Sequence, residues 1–146
     1  LDYAVAHGKA LIRLQDPDGF FPAWISQKDL SIEPELRQSP ESAMCVTFLL
    51  KLADITGESA YRDAALRCMD ALLKEIVPEG RWEDFETYWS CCGWGKPDYI
   101  GRKVERNNMY KQNNLSIFWT AEALLAVARS GLCFPEYWPL RRMALT

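Results

Sequence analysis

A single histidine, His7, stands in a chain of 146 residues, so a zinc site built from the usual cysteine and histidine ligands is poorly supplied. The five cysteines, Cys45, Cys68, Cys91, Cys92 and Cys133, are odd in number and contain no C-x-x-C spacing, which argues against a disulfide framework. Cys45 and Cys68 fall in helical patterns, where cysteine serves as a small hydrophobe. No metal or cofactor is expected. There is no basic run, and the net charge is −3, so the chain lacks the electrostatic footprint of a nucleic-acid binder. No apolar stretch approaches the length needed to span a membrane. What remains is the make-up of one globular domain over residues 1–146: 49% hydrophobic and 25% charged, enough to bury a core. The chain opens without Met, in what reads as the inside of a helix, and is therefore expected to be part of a larger protein whose remainder is its structural partner.

The richest stretch runs from Gly80 to Asn114, GRWEDFETYWSCCGWGKPDYIGRKVERNNMYKQNN. It is far longer than the usual helix connection, and loops of this length are commonly functional. Three Trp and three Tyr alternate there with charges and amides. A polar ring-shaped ligand needs that mixture, because flat rings stack on aromatics while hydroxyls need directional partners.

Either side of this stretch is helical. Val5, Leu11, Ile12 and Leu14 give residues 1–15 one apolar face, and Pro17, Gly19 and Pro22 then break the pattern, leaving a loop over residues 16–38. Ser39-Pro40-Glu41 starts a helix: Ser as cap, Pro where its missing donor costs nothing, and Glu at the positive dipole end. That helix runs to Thr56 and stops at Gly57. It carries no charge from Ser42 to Leu50, which predicts an inner helix surrounded by protein. Residues 58–76 instead place Tyr61, Ala65, Cys68, Met69, Leu72 and Ile76 on one stripe, with Arg62, Asp63, Arg67, Asp70 and Lys74 opposite, an outer helix. A loop over residues 77–112 follows. Asn113 or Asn114 then caps a second inner helix that ends near Ser130 and Gly131, and Tyr137 to Leu145 reads as a further outer helix.

ALIRLQDPDGFF lines up with ALLKEIVPEGRW, and FLLKLADITGESAY lines up less closely with ALLAVARSGLCFPEY. The unit is outer helix, long loop, inner helix, tight turn, and repeated helical pairs of this kind stack as hairpins. Both long loops must then emerge at the same end.

The repeated segment resembles the QW-type repeat of the terpenoid cyclase and protein prenyltransferase superfamily, whose pattern is Gln, three residues, Gly, one residue, Trp. Gln15 to Gly19 keeps the spacing with Phe21 in the Trp position, and Gly80-Arg81-Trp82 keeps the second half with Ile76 in the Gln position. The resemblance implies an all-α protein, part of an α/α toroid of antiparallel hairpins with inner and outer layers. It also implies that Gln15, Phe21 and Trp82 brace helices and carry no chemistry. Toroids of this kind also occur among polysaccharide lyases and glycoside hydrolases, so the fold does not choose the reaction. The cyclases' Asp-rich DxDD run is absent here, where Asp16-Pro17-Asp18 lies in a turn, and His7 is far from the loops that a prenyltransferase zinc site would use.

A glycoside hydrolase needs two carboxylates flanking the scissile bond, and WEDFETYW supplies Asp84 and Glu86 two residues apart, on one side of an extended segment. The competing reading pairs these acids with Arg102, Lys103 and Arg106. A lyase needs a base and a cation: Tyr88, Tyr99 or Tyr110 for the first, Arg102 or Arg106 for the second. The catalytic candidates are thus Asp84, Glu86, Tyr88 and Arg106. Trp24, Glu41, Trp89, Trp94, Asn108, Tyr110 and Asn114 are the candidates for holding an oligo- or polysaccharide in a cleft between loops 16–38 and 77–112. The alternatives are a non-catalytic helical-repeat binding domain, and a terpenoid cyclase or prenyltransferase-like domain.

Overall fold

The computed structural model describes residues 1–29, 31–32, 37–84 and 101–131. Among them are four α-helices and no strand: α1 (Asp2–Leu14), α2 (Ala43–Thr56), α3 (Ser59–Ala71) and α4 (Asn114–Arg129). None is long and apolar enough to cross a membrane. The helix expected from Tyr137 to Leu145 lies outside the described residues.

Local chemistry sets the ends. Ser39 accepts a hydrogen bond from the Glu41 amide, Pro40 opens a short 3-10 turn (Pro40–Ser42), and α2 follows directly. Asn113 caps α4 in the same way, accepting from the Leu115 amide at 2.9 Å. Gly57 and Gly131, both at φ +74°, close α2 and α4 in the left-handed conformation that a side chain would disfavour. The outer helix expected over residues 58–76 departs in one respect. Its last turn, Leu72–Ile76, widens into a π-turn closed by Val77 N donating to Leu72 O at 3.0 Å.

Contacts at the helix ends fix their directions. Gly8 of α1 lies against Leu52 and Tyr61, while the Phe21 amide beyond α1 donates to Ser42 Oγ at the start of α2. Cys68 Sγ donates to Ser42 O, and Arg62 meets Asp54. Each neighbour in the chain therefore runs antiparallel to the last. The Asn113 amide donates to Trp82 O at 2.9 Å, which brings the start of α4 to the end of α3 and makes α2 and α4 run the same way. Both long connections leave from one end.

The core sits between these helices. All six residues of the expected stripe on α3 are buried, joined by Phe20, Phe21, Val46, Leu49, Ala123 and Val127. The same spacing separates Ser39 from Asn113, Ser42 from Ser116, Val46 from Thr120, Leu49 from Ala123, Ala53 from Val127 and Gly57 from Gly131. Four of those pairs are buried in both copies, and the other two are the matching caps and closing glycines. The two inner helices are thus one pattern written twice.

The inner helices are less enclosed than their apolar sequences predict. Met44 on α2 and Phe118 on α4, at equivalent positions, are 47% and 65% exposed, and Leu115 is 44% exposed. Ala43, Leu50 and Leu52 of α2 are buried, while their counterparts Ile117, Leu124 and Ala126 are only partly so. Those α2 positions are covered because α2 packs against α1, α3 and α4 together, whereas α4 packs chiefly on α2. A charge-free face reports what a helix wants covered, and coverage depends on its neighbours.

Gly8 is needed for packing. A Cβ there would press on the Leu52 side chain and lie 2.9 Å from Tyr61 Cε1, both in the core. Gly8→Ala gains about 1 kcal/mol of helix propensity and costs about 2 kcal/mol of overpacking. Thermal denaturation should show net destabilisation; a variant more stable than the parent would mean that α1 is not held tightly.

Candidate functional site

The two turns that follow the outer helices are built alike but used differently. In the first, the Gly19 amide donates to Asp16 O at 2.9 Å; in the second, the Gly80 amide donates to Val77 O at 3.2 Å. Gln15 locks the first turn: its Nε2 donates to Gly19 O and to Ala64 O, both at 2.8 Å, and its Oε1 accepts from Arg67. Phe21 is buried and Trp82 packs on the core. Asp16 is buried and bonded by Arg37 through Nε at 2.6 Å and through Nη2, a bidentate pair that ties the two ends of the first loop together. Its place is in that turn.

From the second turn the chain passes across the N-terminal ends of both inner helices. Glu83 and Asp84, each 1% exposed, are the buried acids of this crossing. Ser116 Oγ, in the first turn of α4, donates to Asp84 Oδ2 at 2.9 Å, and Ser39 Oγ, at the start of α2, lies 3.5 Å from Glu83 O. Glu83 accepts from Arg81 Nε at 2.9 Å and from the Gly101 amide at 3.3 Å. Arg81 is thus one cation that pairs with it. Ser39 Oγ also lies 3.4 Å from Glu41 Oε2, so the Glu41 and Asp84 carboxylates sit at the starts of α2 and α4 respectively, where backbone N–H groups favour negative charge, while Glu83 meets Ser39 through its backbone carbonyl and turns its carboxylate to Arg81 and Gly101. Glu41 is the partly exposed member of the three.

The remaining candidates surround this cluster. Residues 101–112 form a small hairpin: Val104 and Met109 bridge antiparallel, with Val104 N donating to Met109 O at 2.7 Å, and Asn108 turns the chain at φ +53°. Arg106 and Asn108 stand exposed at its tip. Asn108 thus serves the turn, a role its tolerance of left-handed backbone suits. Gln112 Nε2 donates to Gly80 O and fastens the hairpin to the helical body. The Tyr110 ring has Lys103 Nζ 5.1 Å and the Arg81 guanidinium 5.8 Å from its centroid, so it is engaged by cations within the chain. Asn114 is the exposed first residue of α4, beside the capping Asn113. Trp24 is 36% exposed in the first loop, next to the isolated bridge between Ile25 and Ile32. Glu86, Tyr88, Trp89 and Trp94 lie outside the described residues.

Of the sequence candidates, Glu41 and Asp84 lie at the starts of α2 and α4, Tyr110 meets Arg81, the partner of Glu83, and Arg106 and Asn108 stand exposed at the hairpin tip. The sequence shows Ser39 only as a helix cap and does not single out Ser116. Aligning the inner helices by their glycine stops would have found them, because each lies near the start of its helix at a position recurring in both copies. His7 packs its ring edge-on against Phe48, 5.4 Å between centroids. Among the described residues, no group of three or more His, Cys, Asp or Glu side chains is placed to hold a metal ion.

The two described thiols are free. Burial pushes Cys45 up to about 11 and Cys68 well above the ordinary thiol value. At pH 8 about 0.1% of Cys45 is then thiolate, so alkylation should run more than a hundredfold slower than for an ordinary thiol of pKa ~8.5. The folded state keeps a proton that the unfolded state gives up. This contribution to stability therefore falls as pH rises from about 9 through the raised values. Peptide-resolved mass spectrometry of iodoacetamide labelling checks this; rapid labelling of either residue in the folded protein would contradict it.

The chain matches no protein-family model, no curated protein and no solved structure.

Proposed function

We propose that this chain is part of an α/α toroid and that its loop-bearing end takes a carbohydrate, as a polysaccharide lyase or a glycoside hydrolase does. The observation that carries the reading is the placing of the Glu41 and Asp84 carboxylates at the parallel N-terminal ends of α2 and α4, the end where both long connections leave. Carboxylates held at one end, beside loops rich in aromatics and amides, are the parts that cleavage of a glycosidic linkage requires. The duplicated inner helix, with Ile117, Leu124 and Phe118 partly or largely uncovered on the second copy, supports continuation of the array into further hairpins.

Burial divides the work among the acids. Asp84 meets protein on nearly every side and acts as a strut between the second turn and α4. Glu41, the partly exposed one of the three, is the acid proposed to meet a ligand. Glu86, two residues beyond Asp84, remains the proposed second acid, with Tyr88 and Arg106 as the lyase counterparts.

Turnover of a polysaccharide panel tests the reading. Release of reducing ends without an absorbing product indicates hydrolysis, and ultraviolet absorbance from a new double bond beside a uronate carboxylate indicates a lyase. Absence of both across neutral and acidic polysaccharides would sink the enzymatic reading.

A further inference from the structure

Residues 101–112 carry four basic side chains, Arg102, Lys103, Arg106 and Lys111, against one acid, Glu105, in a chain whose net charge is −3. The structure makes this hairpin a fixed feature. Its two arms are bridged at Val104 and Met109, the Met109 amide donates to Asn107 Oδ1 at 3.2 Å, and the Asn108 amide donates to Val104 O at 2.8 Å. Both of its ends are fastened to the body, at the Glu83 carboxylate through the Gly101 amide and at Gly80 O through Gln112. Lys103 has a partner in Glu79 at 3.6 Å and leans on Tyr110. Arg102 and Arg106 are exposed and make no ion pair among the described residues.

We infer that the sugar taken at this end is anionic, a polyuronate or a sulfated chain, and that Arg102 and Arg106 select it. The inference rests on the carbohydrate reading above. Neutral sugars are held by stacking and by amide or carboxylate hydrogen bonds, and gain nothing from fixed guanidinium groups. An arginine fork instead matches the paired oxygens of a carboxylate or sulfate. The base of the hairpin is fastened at Glu83 through the Gly101 amide, so Arg102 follows directly in the chain near the candidate site, where a uronate carboxylate must be neutralised before the adjacent proton leaves, and Arg106 stands farther out at the tip.

The test is affinity electrophoresis of the whole chain through matched gels: polygalacturonate and its methyl ester, alginate and its methyl ester, heparin and its desulfated, carboxyl-reduced form, and polyglutamate as an anion that is not a sugar. The expected result is retention by at least one acidic glycan and not by its neutral counterpart, weakening with salt and at least tenfold weaker in Arg102→Ala/Arg106→Ala. The carboxylate and sulfate members separate the two anion types. Equal retention by acidic and neutral forms, or an unaffected double variant, overturns this inference and leaves the sugar reading in place. Equal retention by polyglutamate overturns the inference as a charge effect alone. Failure of every glycan overturns both.

Discussion

Gly19→Ala is expected to lower the free energy of unfolding by about 3 kcal/mol, and Gly80→Ala by only about 1 kcal/mol, although the two glycines occupy equivalent turns. Both have positive φ, +98° and +58°, so each substitution carries a conformational cost. The surroundings differ. A Cβ on Gly19 would lie 2.7 Å from the Arg67 carbonyl oxygen and 3.3 Å from Ala71 Cβ, and a helix backbone cannot step aside. On Gly80 its nearest neighbour would be Trp82 Nε1 at 3.9 Å, an ordinary contact. Urea unfolding of the two variants at equal m-value measures the difference. Equal losses would mean that the first turn is not pressed against α3 as described.

Glu41→Gln and Asp84→Ala should fail in different ways. If Glu41 faces the ligand, its amide variant keeps the fold and loses at least a hundredfold in turnover, the usual scale for a general acid or base. Asp84→Ala instead leaves the buried Ser116 hydroxyl without the carboxylate it donates to, and opens a gap behind the crossing. A loss of about 2 kcal/mol in stability follows. Thermal melts read beside kcat separate the two roles. A Glu41→Gln enzyme with full activity would remove Glu41 from the chemistry, and an Asp84→Ala protein of parental stability would remove the strut.

The helices were legible because their signals are local. Ser39-Pro40, Gly57, Asn113 and Gly131 each act within one turn of the chain, and the structure places the helix ends where those residues put them. The stripe on α3 was legible for the same reason, since its period is set by the helix itself. The wide turn at Leu72–Ile76 was not, because an inserted residue leaves no mark in a run of helix-forming side chains. Exposure of Met44 and Phe118 was not legible either, since it depends on which neighbours stand beside α2 and α4. At the site, the sequence offered Asp84 for its aromatic company, but whether a carboxylate faces ligand or protein is decided by contacts far along the chain. For Asp84 that contact is Ser116, and for Glu83 it is Arg81 together with Gly101.

The end where both long loops leave is proposed to bind a sugar. A glycan-array screen of the parent protein and of Trp24→Ala tests this, since Trp24 lies in the first loop and is 36% exposed. The account predicts binding to a restricted set of oligosaccharides, at least tenfold weaker when the ring is removed, as loss of a stacking partner worth 1.4 kcal/mol or more implies. Binding to no glycan at all, or binding that ignores Trp24 as well as Arg102 and Arg106, would contradict it.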